Sequence, residues 1–205
     1  SMENVKDPKG TEVFIAVNGL YAGSISISDT LKPDAVSAIS KIRSFGLTPA
    51  MLTGDNAKSA ADIAQNVGIS EVRSQLMPDD KLSALKDIRK KIGPVMFVGD
   101  GINDAPVLAG ADVGAAMGTG ADAAIEAADV VFMNSSVESI PQSITIAKNT
   151  NTIAVQNIVI ALFVKLLVIL LGFIGFANIW AAIFADTGVA MICILNSLRI
   201  LWKKY

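Results

Sequence analysis

The last quarter of the chain most constrains how it can fold: residues 158–202 carry only three charged side chains, Lys165, Asp186 and Arg199. Within them, the stretches 158–177 and 179–202 can each cross a hydrocarbon layer of ~30 Å at ~1.5 Å per helical residue. A helical hairpin turning at Asn178 is predicted. Residues 137–171 read as one long helix rising out of a soluble part into a lipid bilayer, with Pro141 tolerated near its first turn. Lys148 precedes the first span, and Arg199, Lys203 and Lys204 close the second. The positive-inside rule therefore puts both ends, and the soluble part, in the cytoplasm of a multi-pass cell-membrane protein. Counted from Asn178, Lys165 lies ~20 Å deep and Asp186 ~12 Å, a difference that a lysine side chain largely bridges. Each such charge costs about 2.5–3.5 kcal/mol, which argues for a function. An ion pair that merely joins two helices is the plainer alternative.

Elsewhere the composition excludes more than it selects. A formal net charge of −2 gives no electrostatic footprint for nucleic acid. The single Cys193 rules out an internal disulfide or a multi-Cys zinc site, and fits a cytosolic soluble part. No signal peptide is evident at the N-terminus. Ser1 before Met2 reads as an expression scar.

Before residue 148 the chain alternates strand and helix. Residues 13–17 and 21–27 flank Asn18-Gly19 and predict a β-hairpin. Val36, Ile39, Ile42 and Phe45 recur at helical spacing until Gly46 closes that helix, and a short strand follows over 48–52. Thr53-Gly54-Asp55-Asn56 then leads into a helix ending at Gly68, and Pro78 opens another over 79–91. Strands at 95–98, 113–117 and 130–133 alternate with helices at 105–109 and 121–127. Such order favours an open parallel α/β sheet covered on both faces, whose ligands collect at the carboxyl ends of the strands. Asp55 and Asp100 both lie just past a predicted strand, on that edge.

Asp100-Gly101-Ile102-Asn103-Asp104-Ala105-Pro106 carries the chemistry. Two carboxylates four residues apart at a loop-to-helix junction can aim hard oxygen donors at one Mg²⁺ beside a phosphate, and Asn103 adds a neutral contact. A loop of turn-forming residues capping the next helix is the alternative, as is an ordinary N-cap for Thr53 and Asp55. Lys81 alone reads equally as a solvated helix residue.

Taken as an ordered set, these motifs from Gly10 onward resemble the P-type ATPases, whose phosphorylation domain is haloacid-dehalogenase-like. The resemblance implies a partial Rossmann-like parallel sheet followed by a two-helix transmembrane hairpin. Asp29-Thr30-Leu31-Lys32 is similar to the family's Asp-x-x-Arg/Lys element near the nucleotide phosphates. In Thr53-Gly54-Asp55, Thr53 would bond the phosphoryl oxygens, and Gly54 and Asp55 would help bind ATP. Lys81 would neutralise the phosphoryl group, Asp100 and Asp104 would serve Mg²⁺, and Asn103 would support the phosphate. In the tail, Lys165 and Asp186-Thr187-Gly188 resemble the transport site of the zinc-, cadmium- and lead-exporting subclass, with Asp186 on the cation and Lys165 as counter-charge. The copper-transporting pattern is not reproduced by Met191, Cys193 and Ser197.

The family's phosphorylated Asp-Lys-Thr-Gly-Thr, its intramembrane Cys-Pro-Cys and its His-Pro element do not occur in this sequence. The chain therefore reads as the C-terminal part of such a pump, inactive alone and partnered by the remaining pump domains and the bilayer. Residues 1–28 would close the nucleotide-binding domain, 29–147 belong to the phosphorylation domain, and 148–205 form the last two membrane helices. A haloacid-dehalogenase-like phosphatase and a non-catalytic, membrane-anchored regulatory fragment stand as alternatives.

Overall fold

The computed structural model describes residues 11–27, 30–118, 122–176 and 178–203. It falls into two compact units, Ser1–Ser139 and Ile140–Tyr205.

The first unit opens with an antiparallel hairpin, β1 (Thr11–Val17) and β2 (Leu20–Ile27). Asn18 and Gly19 turn it at φ of 54° and 77°, the left-handed values that a two-residue hairpin loop requires. Helix α1 (Ala35–Ser44) follows. Of the apolar residues at helical spacing, Ile42 is buried and Ile39 and Phe45 are half-buried, but Val36 is 52% exposed and Ala35 and Ala38 are buried beside Ile42. Periodicity marks a helix, but the neighbour decides which adjacent stripe turns inward. Here the neighbour is α2 (Ala57–Val67), which offers Ala60, Ala64 and Val67. Gly68, at φ 77°, ends α2, and the Ile69 amide returns to the Ala64 carbonyl.

Parallel strands carry the rest. β3 (Ala50–Leu52) pairs with β4 (Glu71–Arg73), a strand too short and too charged to show a period in the sequence. After α3 (Pro78–Ile92) come β5 (Met96–Gly99), a 3₁₀ turn (Ile102–Asp104), α4 (Ala105–Gly110), β6 (Val113–Met117), α5 (Asp122–Ala127) and β7 (Val130–Phe132). β6 lies between β5 and β7. Its Ala115 and Ala116 are fully buried, together with Val107 and Leu108 of α4. A Cβ on Gly114 would sit 2.5 Å from the Leu108 carbonyl oxygen, so α4 meets β6 backbone to backbone. The parallel α/β expectation holds. Among the described residues, however, the parallel strands form two ladders, β3–β4 and β5–β6–β7, and not one continuous sheet.

The second unit is helical. α6 (Ser139–Phe173) is one 35-residue helix, and Ile179–Trp202 forms a second span; both are long and apolar enough to cross a membrane. Asn178 caps the second by accepting the Ala181 amide at 3.0 Å. That span is not a uniform helix. α7 (Ile179–Ile183) passes into a π-helical turn (Phe184–Gly188), then α8 (Val189–Leu198) and a 3₁₀ turn (Arg199–Trp202). Hydropathy cannot register such a widening, because the composition on either side of it is the same.

Candidate active site

The β3 loop is stitched to the β4 loop by backbone. The Thr53 amide bonds the Arg73 carbonyl, the Leu76 amide bonds the Thr53 carbonyl, and the Gln75 amide bonds the Asp55 carbonyl. Gln75 accepts a φ of 57° to do so. A Cβ on Gly54 would sit 3.3 Å from the Leu76 carbonyl oxygen, a tight contact where the two loops meet. The ordinary-cap reading of Thr53 and Asp55 fails, since Asn56 caps α2 by accepting the Ser59 amide at 2.9 Å. Thr53 and Asp55 instead bond each other. The Thr53 hydroxyl donates to Asp55 Oδ2 at 2.7 Å and accepts the Asp55 amide at 3.1 Å. Its one proton is thus committed, and donation to a phosphoryl oxygen would require the hydroxyl to turn.

Lys81 stands in the first turn of α3, which Pro78 opens and Asp80 helps cap by accepting the Met77 amide at 3.2 Å. Its ammonium donates to Asp104 Oδ1 at 2.9 Å, and the two side chains are only 18% and 13% exposed. Lys81 is therefore not a solvated helix residue. Nor does Asp104 spend its side chain on capping α4. Gly99 and Gly101 keep the space beside its second oxygen open: ideal Cβ atoms there would lie 3.0 and 3.5 Å from Asp104 Oδ2.

Asp100 and Asn103 lie exposed on the same β5–α4 loop. The structure thus pairs Thr53 with Asp55, pairs Lys81 with Asp104, and leaves Asp100 and Asn103 facing solvent beside Asp104 in sequence. Asp29 lies outside the described residues. Among those described, no three His, Cys, Asp or Glu side chains converge to hold a metal unaided. That donor set still fits Mg²⁺, which keeps several waters and takes one or two carboxylates plus phosphate oxygens.

Near α1, Lys32 donates to the Ser135 carbonyl at 2.6 Å. Asp34 accepts the Ser136 hydroxyl at 2.5 Å and the Glu138 amide at 3.1 Å. The Ser136 bond above all, then that amide, holds the Asp34 carboxyl below the usual carboxylate range. Nothing in the sequence pattern announces this contact, which spans about a hundred residues.

In the helical unit, Lys165 Nζ of α6 lies 3.5 Å from Asp186 Oδ1. Asp186 sits within the π turn, a feature missed from the sequence although π turns recur at functional sites. The Asp-x-Gly spacing held the signal: a Cβ on Gly188 would come within 2.7 Å of the Phe184 ring.

The fold and this loop edge define an α/β protein with its candidate residues at the carboxyl ends of parallel strands, and residues 1–112 match the family model for haloacid dehalogenase-like hydrolases. The chain belongs to that family. Its resemblance within it is to the heavy-metal-transporting P-type ATPases. It is 48% identical over 198 residues to a zinc-transporting ATPase of Synechocystis, covering 95% of this chain and 28% of that protein. It is 44% identical over 209 residues to a cadmium, zinc and cobalt-transporting ATPase of Bacillus subtilis, covering 99% of this chain and 30% of that protein. A crystal structure of a zinc-transporting PIB-type ATPase in the E2.Pi state matches with a TM-score of 0.85 at 38% identity, covering 94% of this chain and 32% of that one. The chain therefore spans about a third or less of the proteins it resembles.

Proposed function

We propose that this chain is the C-terminal part of an ATP-driven exporter of Zn²⁺, Cd²⁺ or Pb²⁺ that works through an aspartyl-phosphate whose aspartate lies outside this sequence. The observation that carries the reading is the Lys165–Asp186 pair. Two charges 3.5 Å apart on adjacent membrane-length helices, yet 62% and 78% exposed, need further helices or water around them. A cation path through a larger helical assembly meets that need. Zn²⁺ takes carboxylate oxygen as well as sulfur and nitrogen, so Asp186 is assigned to the transported ion. Lys165 neutralises Asp186 once the ion leaves.

Residues 1–28 then close the nucleotide-binding domain, 29–147 form the second part of the phosphorylation domain, and 148–205 the last two membrane helices. β3 and β5 each have one edge unpaired among the described residues, and each ends in a motif loop. A strand from elsewhere in the pump, lying between them, would bring its aspartate to Thr53, Lys81 and Asp104. Lys81 holds its charge at Asp104, ready for phosphoryl oxygens on which charge accumulates during transfer. Asp29, Thr53, Gly54 and Asp55 contact ATP, Asn103 supports the phosphate, and Asp100 and Asp104 hold Mg²⁺. When bound, that ion supplies further neutralisation of the phosphoryl oxygens. The bilayer surrounds α6 to α8, and the α/β unit lies in the cytoplasm.

The test is zinc-stimulated ATP hydrolysis and bound-zinc stoichiometry of the full-length protein in lipid, with Asp186→Ala and Lys165→Ala against Cys193→Ala. Both charge variants should lose zinc stimulation while Cys193→Ala retains it. Wild-type stimulation and stoichiometry in both would reduce the pair to a structural one and remove the transport assignment.

A further inference from the structure

We infer that Asn157 and Asn196 pin the register of the helical hairpin, and are positioning residues that bring Asp186 opposite Lys165. The starting point is what the rest of α6 lacks. From Ile158 to Leu171 the only small residue is Ala161 and the only polar one is Lys165. Helices in lipid gain nothing from burying one apolar stripe against another, so face selection falls to close small-residue packing or to polar contacts. With no small-residue track here, a rotation of α6 about its axis would present an equally apolar surface. Something polar must choose the face.

Asn157 does so with its whole amide. Its Nδ2 donates across to the Cys193 carbonyl at 3.2 Å and to Ser197 Oγ at 2.9 Å, and its Oδ1 accepts from Asn196 Nδ2 at 2.9 Å. Asn196 Nδ2 also reaches Gln156 Oε1 at 3.5 Å, and Arg199 donates to Asn196 Oδ1 at 2.9 Å. Every amide bond of Asn157 therefore crosses to the other helix. Asn157, Cys193 and Asn196 are half-buried between the helices. A one-residue turn of either helix breaks all three bonds of Asn157 at once, and amides without partners are costly where water is scarce. A single buried asparagine sets register in coiled coils by the same logic.

The geometry gives the clasp its consequence. Asn157 lies eight residues, ~12 Å, before Lys165 on α6, and Cys193 to Ser197 lie ~10–16 Å beyond Asp186 on the other span. Two antiparallel helices pinned at the clasp have one alignment in which Lys165 and Asp186 meet. A slip of one turn moves the charges ~5 Å apart along the axis. This inference uses the transport reading only for its activity arm.

The experiment places spin labels at Leu162 and Leu195, both exposed, by a chemistry that leaves Cys193 intact, in the full-length protein in lipid nanodiscs. Pulsed EPR should give one narrow distance in the wild type. Asn157→Leu and Asn196→Leu should each broaden it or shift it by ~5 Å, and the double variant should do no more than either alone. Asn149→Leu, which loses only the bond from Lys203, should leave the distance unchanged. If the leucine variants do not accumulate, Asn157→Ser and Asn196→Ser, too short to span the gap, are read the same way. In the activity arm, the clasp variants should raise the zinc concentration for half-maximal stimulation ~10-fold while phosphorylation from inorganic phosphate persists. An unchanged distance in the variants at Asn157 and Asn196, or an equal shift with Asn149→Leu, overturns the pin. Zinc stimulation that survives Asp186→Ala and Lys165→Ala overturns the transport reading instead, and the EPR distances still decide the register.

Discussion

A lysine salt-bridged to an aspartate at 18% and 13% exposure is held in place before any phosphate arrives. Preorganised charge of this kind contributes to rate because it need not reorient in the transition state. We expect Lys81→Ala in the full-length protein to slow single-turnover formation of the acyl-phosphate by ~10²–10³-fold, measured by rapid quench with labelled ATP. A rate within twofold of wild type would show that Lys81 serves α3 and not the transfer. Asp34 offers a second test at this scale, through pH. Its folded-state carboxyl titrates lower than the unfolded one, chiefly through the Ser136 hydroxyl. Its contribution to stability is thus complete above the unfolded value near 4 and is lost as pH falls through the lowered folded value. Chemical denaturation of wild type and Ser136→Ala should differ at neutral pH, and the gap should close in acid. A gap that stays constant down to the most acid pH at which both variants fold would remove the titration argument.

At the scale of elements, the π turn is the feature with most consequence, because it interrupts an otherwise regular span at the residue assigned to the cation. Gly188 and Phe184 define it: the ring occupies the space that a side chain at 188 would need. Gly188→Ala should force the ring out or narrow the turn, and so turn Asp186 away from Lys165. Zinc stimulation should fall ~10-fold, as when a ligand's support is lost, and Phe184→Ala in the same protein should restore most of it. If the double variant is no better than Gly188→Ala alone, the ring is not the cause. Elements also show where pattern reading reaches its limit. The hairpin at Asn18-Gly19, the end of α2 at Gly68 and the start of α3 at Pro78 were legible, since each depends on one residue's backbone freedom. β4 was not, because Glu71-Val72-Arg73 becomes a strand only by pairing with β3. In α1, Ile42 is buried as its spacing suggested, while Ala35 and Ala38 turn inward and Val36 does not, because the partner is α2.

For the molecule as a whole, the ladder edges left unpaired among the described residues in one unit, and the exposed ion pair in the other, are each, on the proposed reading, places that other parts of the pump cover. The 205-residue chain purified by itself should therefore form no acyl-phosphate and hydrolyse no ATP. Acid-stable label in that chain, or steady turnover, would contradict the assignment of the nucleophile to another segment.

What the sequence determined by itself was whatever local backbone rules and residue chemistry decide: the strand–helix alternation, the two apolar spans, the acidic loop from Asp100 to Asp104, and two opposite charges set deep in the spans. Motif order then identified Thr53, Asp55 and Lys81 as a set, though not their contacts. Only the tertiary structure decided that Lys81 reaches Asp104, that Asn56 frees Thr53 and Asp55 from capping, and that Asp186 rides on a π turn. It also decided that Asn157 locks to Asn196, a contact between residues 39 apart in the chain. The physical reason is the same for the Lys81–Asp104 and Asn157–Asn196 contacts. Each depends on which faces of two elements meet, and the free energy of that choice lies in pairwise contacts that neither element carries alone.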